Sequence, residues 1–182
     1  METVVTRWFG PTFNELHPLL QDLHRSGGVL RGEIDIRIGR GLAGWLGRRL
    51  AKSVGVPVDQ PRRGFEVTIR HTTDALEWNR RFDNGMVMRS LFRPIGQRPQ
   101  GYWVENTGPV EMHMTVDVDQ GGWTWRLLRA YLRGIRVPLF LLPRSRAGKR
   151  IENGRYVFEV AFVLPLLGRV LSYGGALEAQ AA

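Results

Sequence analysis

Gly64-Phe65-Glu66-Val67-Thr68-Ile69-Arg70 alternates apolar with polar residues, and Leu76-Glu77-Trp78-Asn79-Arg80-Arg81-Phe82 largely repeats the pattern before running into Asp83-Asn84-Gly85. Side chains two apart in an extended chain share a face, so each run predicts a strand with one buried side and one solvated side. Asp-Asn-Gly supplies residues that tolerate positive φ, the requirement of a tight hairpin. The strand that follows, residues 86–92, therefore lies antiparallel to its predecessor.

The same punctuation recurs toward the C-terminus. A loop at 93–101, with two prolines and two glycines, precedes a strand at 102–105. Asn106-Thr107-Gly108-Pro109 turns into 110–118, and Asp119-Gln120-Gly121-Gly122 turns into 123–132. Glu152-Asn153-Gly154 turns into 156–164, and the last strand is expected from Gly168 to about Leu177, with 178–182 frayed. Toward the N-terminus, residues 29–38 alternate through Ile34, Ile36 and Ile38. Residues 42–53 have helical spacing through Leu42, Trp45, Leu46 and Leu50, with Arg48, Arg49 and Lys52 on the other faces. Residues 12–25 predict a first helix, with capping-box spacing between Thr12 and Glu15 and a second possible start at Pro18.

These elements predict an α+β fold: a strongly curved, barrel-like antiparallel sheet of eight to nine strands with two short N-terminal helices packed on it. Successive hairpins exclude a parallel nucleotide-binding sheet, and a sheet this large tends to curl or close. One helix is expected to cap a mouth of the curled sheet. The 182 residues fit one domain with a core at about 12–177.

Composition narrows the chemistry. No cysteine is present, which removes disulfides, thiol nucleophiles and Cys-ligated zinc. Residues 1–10 do not read as a signal peptide, and the most apolar stretch, 135–143, is far short of the roughly 20 residues a bilayer span needs. The expected location is the cytoplasm. The net charge of +9 favours anionic partners. Nearly all the cations are arginine, Lys52 and Lys149 being the only lysines, and genome base composition alone can produce that skew. The aromatics do not interleave with a compact basic stripe, so nucleic acid is not the expected partner.

The segment 78–82 is the most informative chemically. Alternation puts Arg80 on the face of Trp78 and Phe82, with Arg81 opposite. A cation on an inner face needs a partner: either an internal glutamate, with Glu105 and Glu159 as candidates, or a ligand carboxylate or phosphate. Met88 and Trp125 fall on comparable faces, and Trp78, Phe82, Met88, Trp125 and Arg80 form the candidate ligand-binding set. Met86, Phe92 and Trp123 could line the same pocket or simply fill a core. Glu111, His113, Thr115 and Asp117 share one face of a strand. Glu105 and His113 are the candidate acid–base residues, although a solvated outer face has the same pattern. His17 and His24, seven apart, are too distant along a helix to share a metal; His71 and His113 show no ligand spacing either, so no metal or cofactor is expected. Gly39-Arg40-Gly41-Leu42-Ala43-Gly44 fits a dinucleotide fingerprint nominally but lacks the second parallel strand that would give it meaning.

Several phrases recur together in one known family. They are Trp78-Asn79-Arg80-Arg81-Phe82, Gly134-Ile135-Arg136-Val137-Pro138-Leu139, Gly154-Arg155-Tyr156, and Leu164-Pro165-Leu166-Leu167-Gly168-Arg169 with Tyr173 and Gly175. The chain resembles, over residues 13–177, a bacterial family called domain of unknown function 4166. The resemblance implies a self-contained module that works alone or beside an oxidoreductase-type enzyme, since members are often fused to saccharopine-dehydrogenase-like domains. It brings no established catalytic residues.

Three functional expectations follow. The first is a module that binds an apolar or amphipathic, lipid-like molecule in an internal cavity, with an anionic head near Arg80 or Arg81. The second is a small barrel-type isomerase, cyclase or hydrolase acting on an apolar substrate. The third is a basic interaction domain facing an acidic partner. Peripheral membrane contact through the Trp45 helix is compatible with the pattern.

Overall fold

In the computed structural model, which describes residues 2–107 and 110–182, the chain forms a closed antiparallel barrel. Its strands are β1 (Gly28–Ile38), β2 (Arg62–His71), β3 (Leu76–Phe82), β4 (Val87–Ile95), β5 (Tyr102–Thr107) and β6 (Val110–Asp119). They continue as β7 (Gly122–Leu132), β8 (Ile135–Val137), β9 (Arg144–Glu152), β10 (Arg155–Leu164) and β11 (Gly168–Ala181). Neighbours in sequence are neighbours in space from β1 to β7 and from β9 to β11, while β7 pairs with β9 and β11 pairs with β1. Ten strands close the ring. Short β8 sits on the far half of the β7 edge whose first half pairs with β9.

The expectation of eight to nine strands undercounts because β8 is only three residues long and β9 carries no apolar alternation. Along β9 the inward positions are Ser145, Ala147, Lys149 and Ile151, paired with inward residues of β10. The final strand also outruns its expected end: Glu178 to Ala181 pair with β1, so they are not frayed. The glycine turns act as read. Gln120-Gly121 and Asn153-Gly154 both hold positive φ, the two-residue hairpin geometry whose twist matches the strands. Gly108 and Pro109 of the expected fourth turn lie outside the described residues.

Before the barrel come α1 (Val4–Phe9), a 3-10 turn (Gly10–Glu15) and α2 (Pro18–Ser26). The stretch read as helical over 12–25, with a second start at Pro18, does divide there, but Thr12 is not a cap: its hydroxyl donates to the Phe9 carbonyl. The capping box lies earlier, between Thr3 and Thr6. His17 caps α2, its Nδ1 accepting the Leu19 N–H at 3.2 Å. This segment plugs the end of the barrel where β1, β3, β5 and β7 begin. Trp8 packs on Trp103 with centroids 5.4 Å apart, and Phe9 stacks on Trp123 at 5.2 Å.

The opposite end is crossed by α3 (Gly41–Val54). Gly47 lets the helix approach so closely that a Cβ there would lie 2.0 Å from the Val170 carbonyl oxygen. Gly55 ends it in the left-handed conformation beside Met88 of β4. The helix therefore spans the mouth from the β11 side to β4, as expected of a mouth-capping element. Among the described residues, no helix is long and apolar enough to cross a membrane.

Candidate functional site

Register and closure place the five candidate ligand residues together. Phe82 pairs with Phe65, Arg80 with Val67 and Met88, and Trp78 with Ile69 and Ser90, and all of these side chains face the barrel axis. Trp125 faces inward from β7 and stacks on Phe92 with centroids 5.5 Å apart. Arg80 lies over the Trp78 ring at 5.3 Å and donates from Nη1 to Ser90 Oγ at 2.8 Å. Arg81 points outward and is exposed, so of the two arginines only Arg80 belongs to the interior.

A buried lysine in that interior is absent from the candidates read from sequence. Lys149, 5% exposed, places Nζ 3.4 Å from the centre of the Trp123 ring and 4.1 Å from that of Trp78. Its third neighbour is His24 of the α2 plug, whose Nε2 is 3.1 Å from Nζ. His24 itself is fully buried and stacks on Trp123 at 4.6 Å. Burial, reinforced by the nearby Arg80 charge, holds the Lys149 ammonium well below its ordinary pKa. Burial, with the Lys149 and His71 charges adding, does the same to His24. Both groups are thereby pushed toward their neutral forms, and a neutral imidazole Nε2 can accept the Lys149 N–H. The available sequence signal was spacing: Lys149 sits two residues from Ile151 and from Ala147, ahead of a strong turn.

Several polar groups around this pair have no protein partner among the described residues. They are the indole N–H groups of Trp78 and Trp123, the second ring nitrogen of His24 and the Tyr156 hydroxyl. Burial raises the pKa of Tyr156 and of Tyr173, so both phenols stay protonated and able to donate. Glu105 is also buried on the inner face, where its charge and that of Arg80 both act on Tyr173. Glu159, the other candidate partner for Arg80, is exposed on the outer face of β10 and cannot reach it.

The candidate acid–base pair is divided by the sheet. Glu105 pairs with Met112, and both face inward, whereas the adjacent His113 faces outward. There His113 stacks on Tyr102 at 5.0 Å, and its Nε2 lies 2.8 Å from Glu111 Oε1. Asp117, on the same outer face, is held by Arg126 at 2.8 Å. The Glu111 contact runs along β6, while the Tyr102 and Arg126 contacts are cross-strand pairs of the kind that tie an outer sheet face together. Met86 departs from the pocket expectation as well: it is exposed in the β3–β4 hairpin. At the α3 mouth, inward-facing Arg63 is bound by Asp59 and by Asp83, the latter at 3.1 Å. Among the described residues, no three His, Asp or Glu side chains assemble as a metal set.

A comparison with functionally curated proteins returns no match. A family model does match, covering residues 16–177 and so nearly all of the barrel. The chain belongs to the family described as domain of unknown function (DUF4166).

Proposed function

We propose that this barrel is a binding module for an amphipathic molecule with an anionic head. The observation that carries the reading is the chemistry of the inner wall. Lys149 and Arg80 bring an amine and a guanidinium to one interior, and donors from Trp78, Trp123 and Tyr156 without a partner among the described residues accompany them. Desolvated donors without acceptors are costly, and a carboxylate or phosphate offers the several lone pairs that would satisfy them. Phe82, Met88, Phe92 and Trp125 supply the apolar wall for the rest of the molecule.

The test uses a long-chain fatty acid and the alcohol of equal length, titrated against the purified protein in the absence of membranes. The acid is expected to bind about tenfold or more tightly than the alcohol, one charge-assisted contact being worth roughly 1.5–3 kcal/mol. Lys149→Met and Arg80→Gln should each reduce that preference. Equal binding of acid and alcohol, or no binding of either, overturns the reading.

One observation favours a second reading, in which the barrel is an enzyme acting on an apolar carbonyl compound. Burial lowers the Lys149 pKa and so favours its nucleophilic amine form, and the His24 imidazole lies within hydrogen-bond distance of that amine. The amine would add to the carbonyl carbon, and loss of water would leave an imine. Borohydride reduction in the presence of an apolar aldehyde, followed by peptide mass analysis, should then label Lys149. An unlabelled Lys149 excludes this chemistry.

A further inference from the structure

The exposed apolar side chains are not scattered. Of the twelve large apolar residues exposed among those described, eleven lie at the α3 end of the barrel, Ile95 being the exception. Monomeric soluble surfaces seldom gather exposed apolar groups in this way without a partner.

Three neighbouring segments carry most of them. Leu42 and Trp45 project from α3, which packs against β11 through Gly47. Leu166, fully exposed, and Leu167 form the β10–β11 turn beside it. Next around the rim, Arg144 of β9 pairs with Val163 of β10, and the 3-10 turn just before β9 presents Leu139, Phe140 and Leu141, with Phe140 81% exposed. Ile135 in the β7–β8 hairpin extends the same arc. The segments form one continuous band because the strands that they join are adjacent in the ring.

Charge identifies what this band would meet. Residues 39–58, 132–146 and 164–169 together contain nine Lys or Arg and no Asp or Glu. Of the carboxylates at this end, Asp59 and Asp83 are engaged by Arg63, and Glu111, paired with Tyr131 of β7, lies against His113. Arg49 lies over the Trp45 ring at 5.0 Å, an arrangement that keeps the guanidinium near water while the indole enters an apolar layer. Leucine and aromatic tips interleaved with unopposed cations match an anionic bilayer surface, where apolar tips enter the acyl boundary and cations meet the headgroups. An acidic protein partner would complement the charge but not so many protruding leucines on separate loops.

We infer that the α3 end of the barrel docks on anionic lipid membranes, with the β10–β11 turn, the 139–141 turn and Trp45 inserted at the interface. This inference does not depend on an interior guest. Its geometry would bring the α3 mouth against the bilayer.

Flotation with phosphatidylcholine vesicles containing about a third phosphatidylglycerol tests it, compared with phosphatidylcholine alone. The expected result is binding to the anionic vesicles that is about tenfold or more stronger than to neutral ones. The double variant Phe140→Asp, Leu166→Asp should weaken it by about tenfold or more with an unchanged melting curve, both residues being exposed. Bromine-labelled lipid should quench tryptophan fluorescence in the natural chain and much less in Trp45→Phe. Absence of binding to anionic vesicles overturns the inference. So does equal binding by the double variant, which would mean charge alone. A solution dimer that the double variant dissociates, without vesicle binding, would assign the face to a second copy of the chain and overturn it too.

Discussion

Lys149 Nζ and His24 Nε2 lie 3.1 Å apart in the barrel interior, joining a strand late in the chain to the helix that plugs the ring. Two bases share a hydrogen bond only if at least one is neutral. Burial drives both in that direction, so the pair links the plug to the wall without a fixed charge pair.

Stability should rise with pH across the histidine range. The folded-state pKa of His24 is depressed below its ordinary value of 6.5, and that of half-buried His71 is lowered as well. The unfolded chain therefore binds more protons as pH falls through 6.5, and stability is lost progressively from there toward the lower folded values. The lowered carboxylates, Asp59, Asp83, Glu111 and Asp117, lose their contributions only at more acid pH. Urea unfolding at intervals between pH 5 and 8 (roughly the histidine window) measures the slope, and His24→Phe should reduce it, leaving the part due to His71 and to Lys149, whose lowered pKa acts in the same direction.

Lys149→Met should stabilise the unliganded protein. Methionine keeps the length of the side chain and the contact with both indole rings while removing the desolvated amine. Replacing buried charge by well-packed apolar groups is commonly worth about 1–4 kcal/mol, and a gain toward the lower end is expected because the aromatic faces already favour the cation. Chemical denaturation checks the sign. A loss of stability would mean that the hydrogen bond to buried His24, which the substitution also removes, outweighs the desolvation of the amine.

Binding of an acid in the interior should take up a proton. Without an anion, burial favours the neutral amine; beside a carboxylate the ammonium becomes the better form. Affinity should therefore fall as pH rises. Calorimetry in buffers of different ionisation enthalpy should report net proton uptake, which disappears in Lys149→Met.

Tyr156→Phe separates stability from binding. The hydroxyl is buried without a protein partner among the described residues, so its removal should leave stability unchanged or raise it by up to about 1 kcal/mol. The same substitution should weaken binding of the anionic head. A marked loss of stability would reveal a hydrogen bond that the geometry does not contain.

Gly47→Ala should destabilise, although alanine is the better helix former by about 1 kcal/mol. The added Cβ would meet the Val170 carbonyl at 2.0 Å, and the obstacle is backbone, so α3 must shift away from β11. A loss of about 1–3 kcal/mol is expected from overpacking. Thermal unfolding gives the sign directly.

The legible part of the fold was the part with clean alternation. Ile34 and Ile36 on β1, Phe65, Val67 and Ile69 on β2, and the glycine turns carried closure of a large antiparallel sheet into plain view. Strand β9 was illegible because its inward residues beside Trp123 and Trp125 are small or charged, Ser145, Ala147 and Lys149, so that no apolar alternation marks it. Helix α1 escaped because its capping box uses Thr6 where glutamate is the usual cue. For the interior, period two could put Trp78, Arg80 and Phe82 on one face, while Met88 and Trp125 were legible only as members of other strand faces. Lys149 and His24 could not be joined in this way, since their meeting depends on a plug and a strand 125 residues apart.

Closure through β1 and β11 also governs the order of assembly on the ribosome. Strands β1 to β7 can zip as they emerge, each beside the last, but the free side of β1 has no partner until residues 168–181 are made. For most of its synthesis the nascent chain thus presents an open edge, a template for illicit pairing with other chains. The seam is the last event and the one of greatest sequence separation, which makes folding slow and sensitive to truncation near the end.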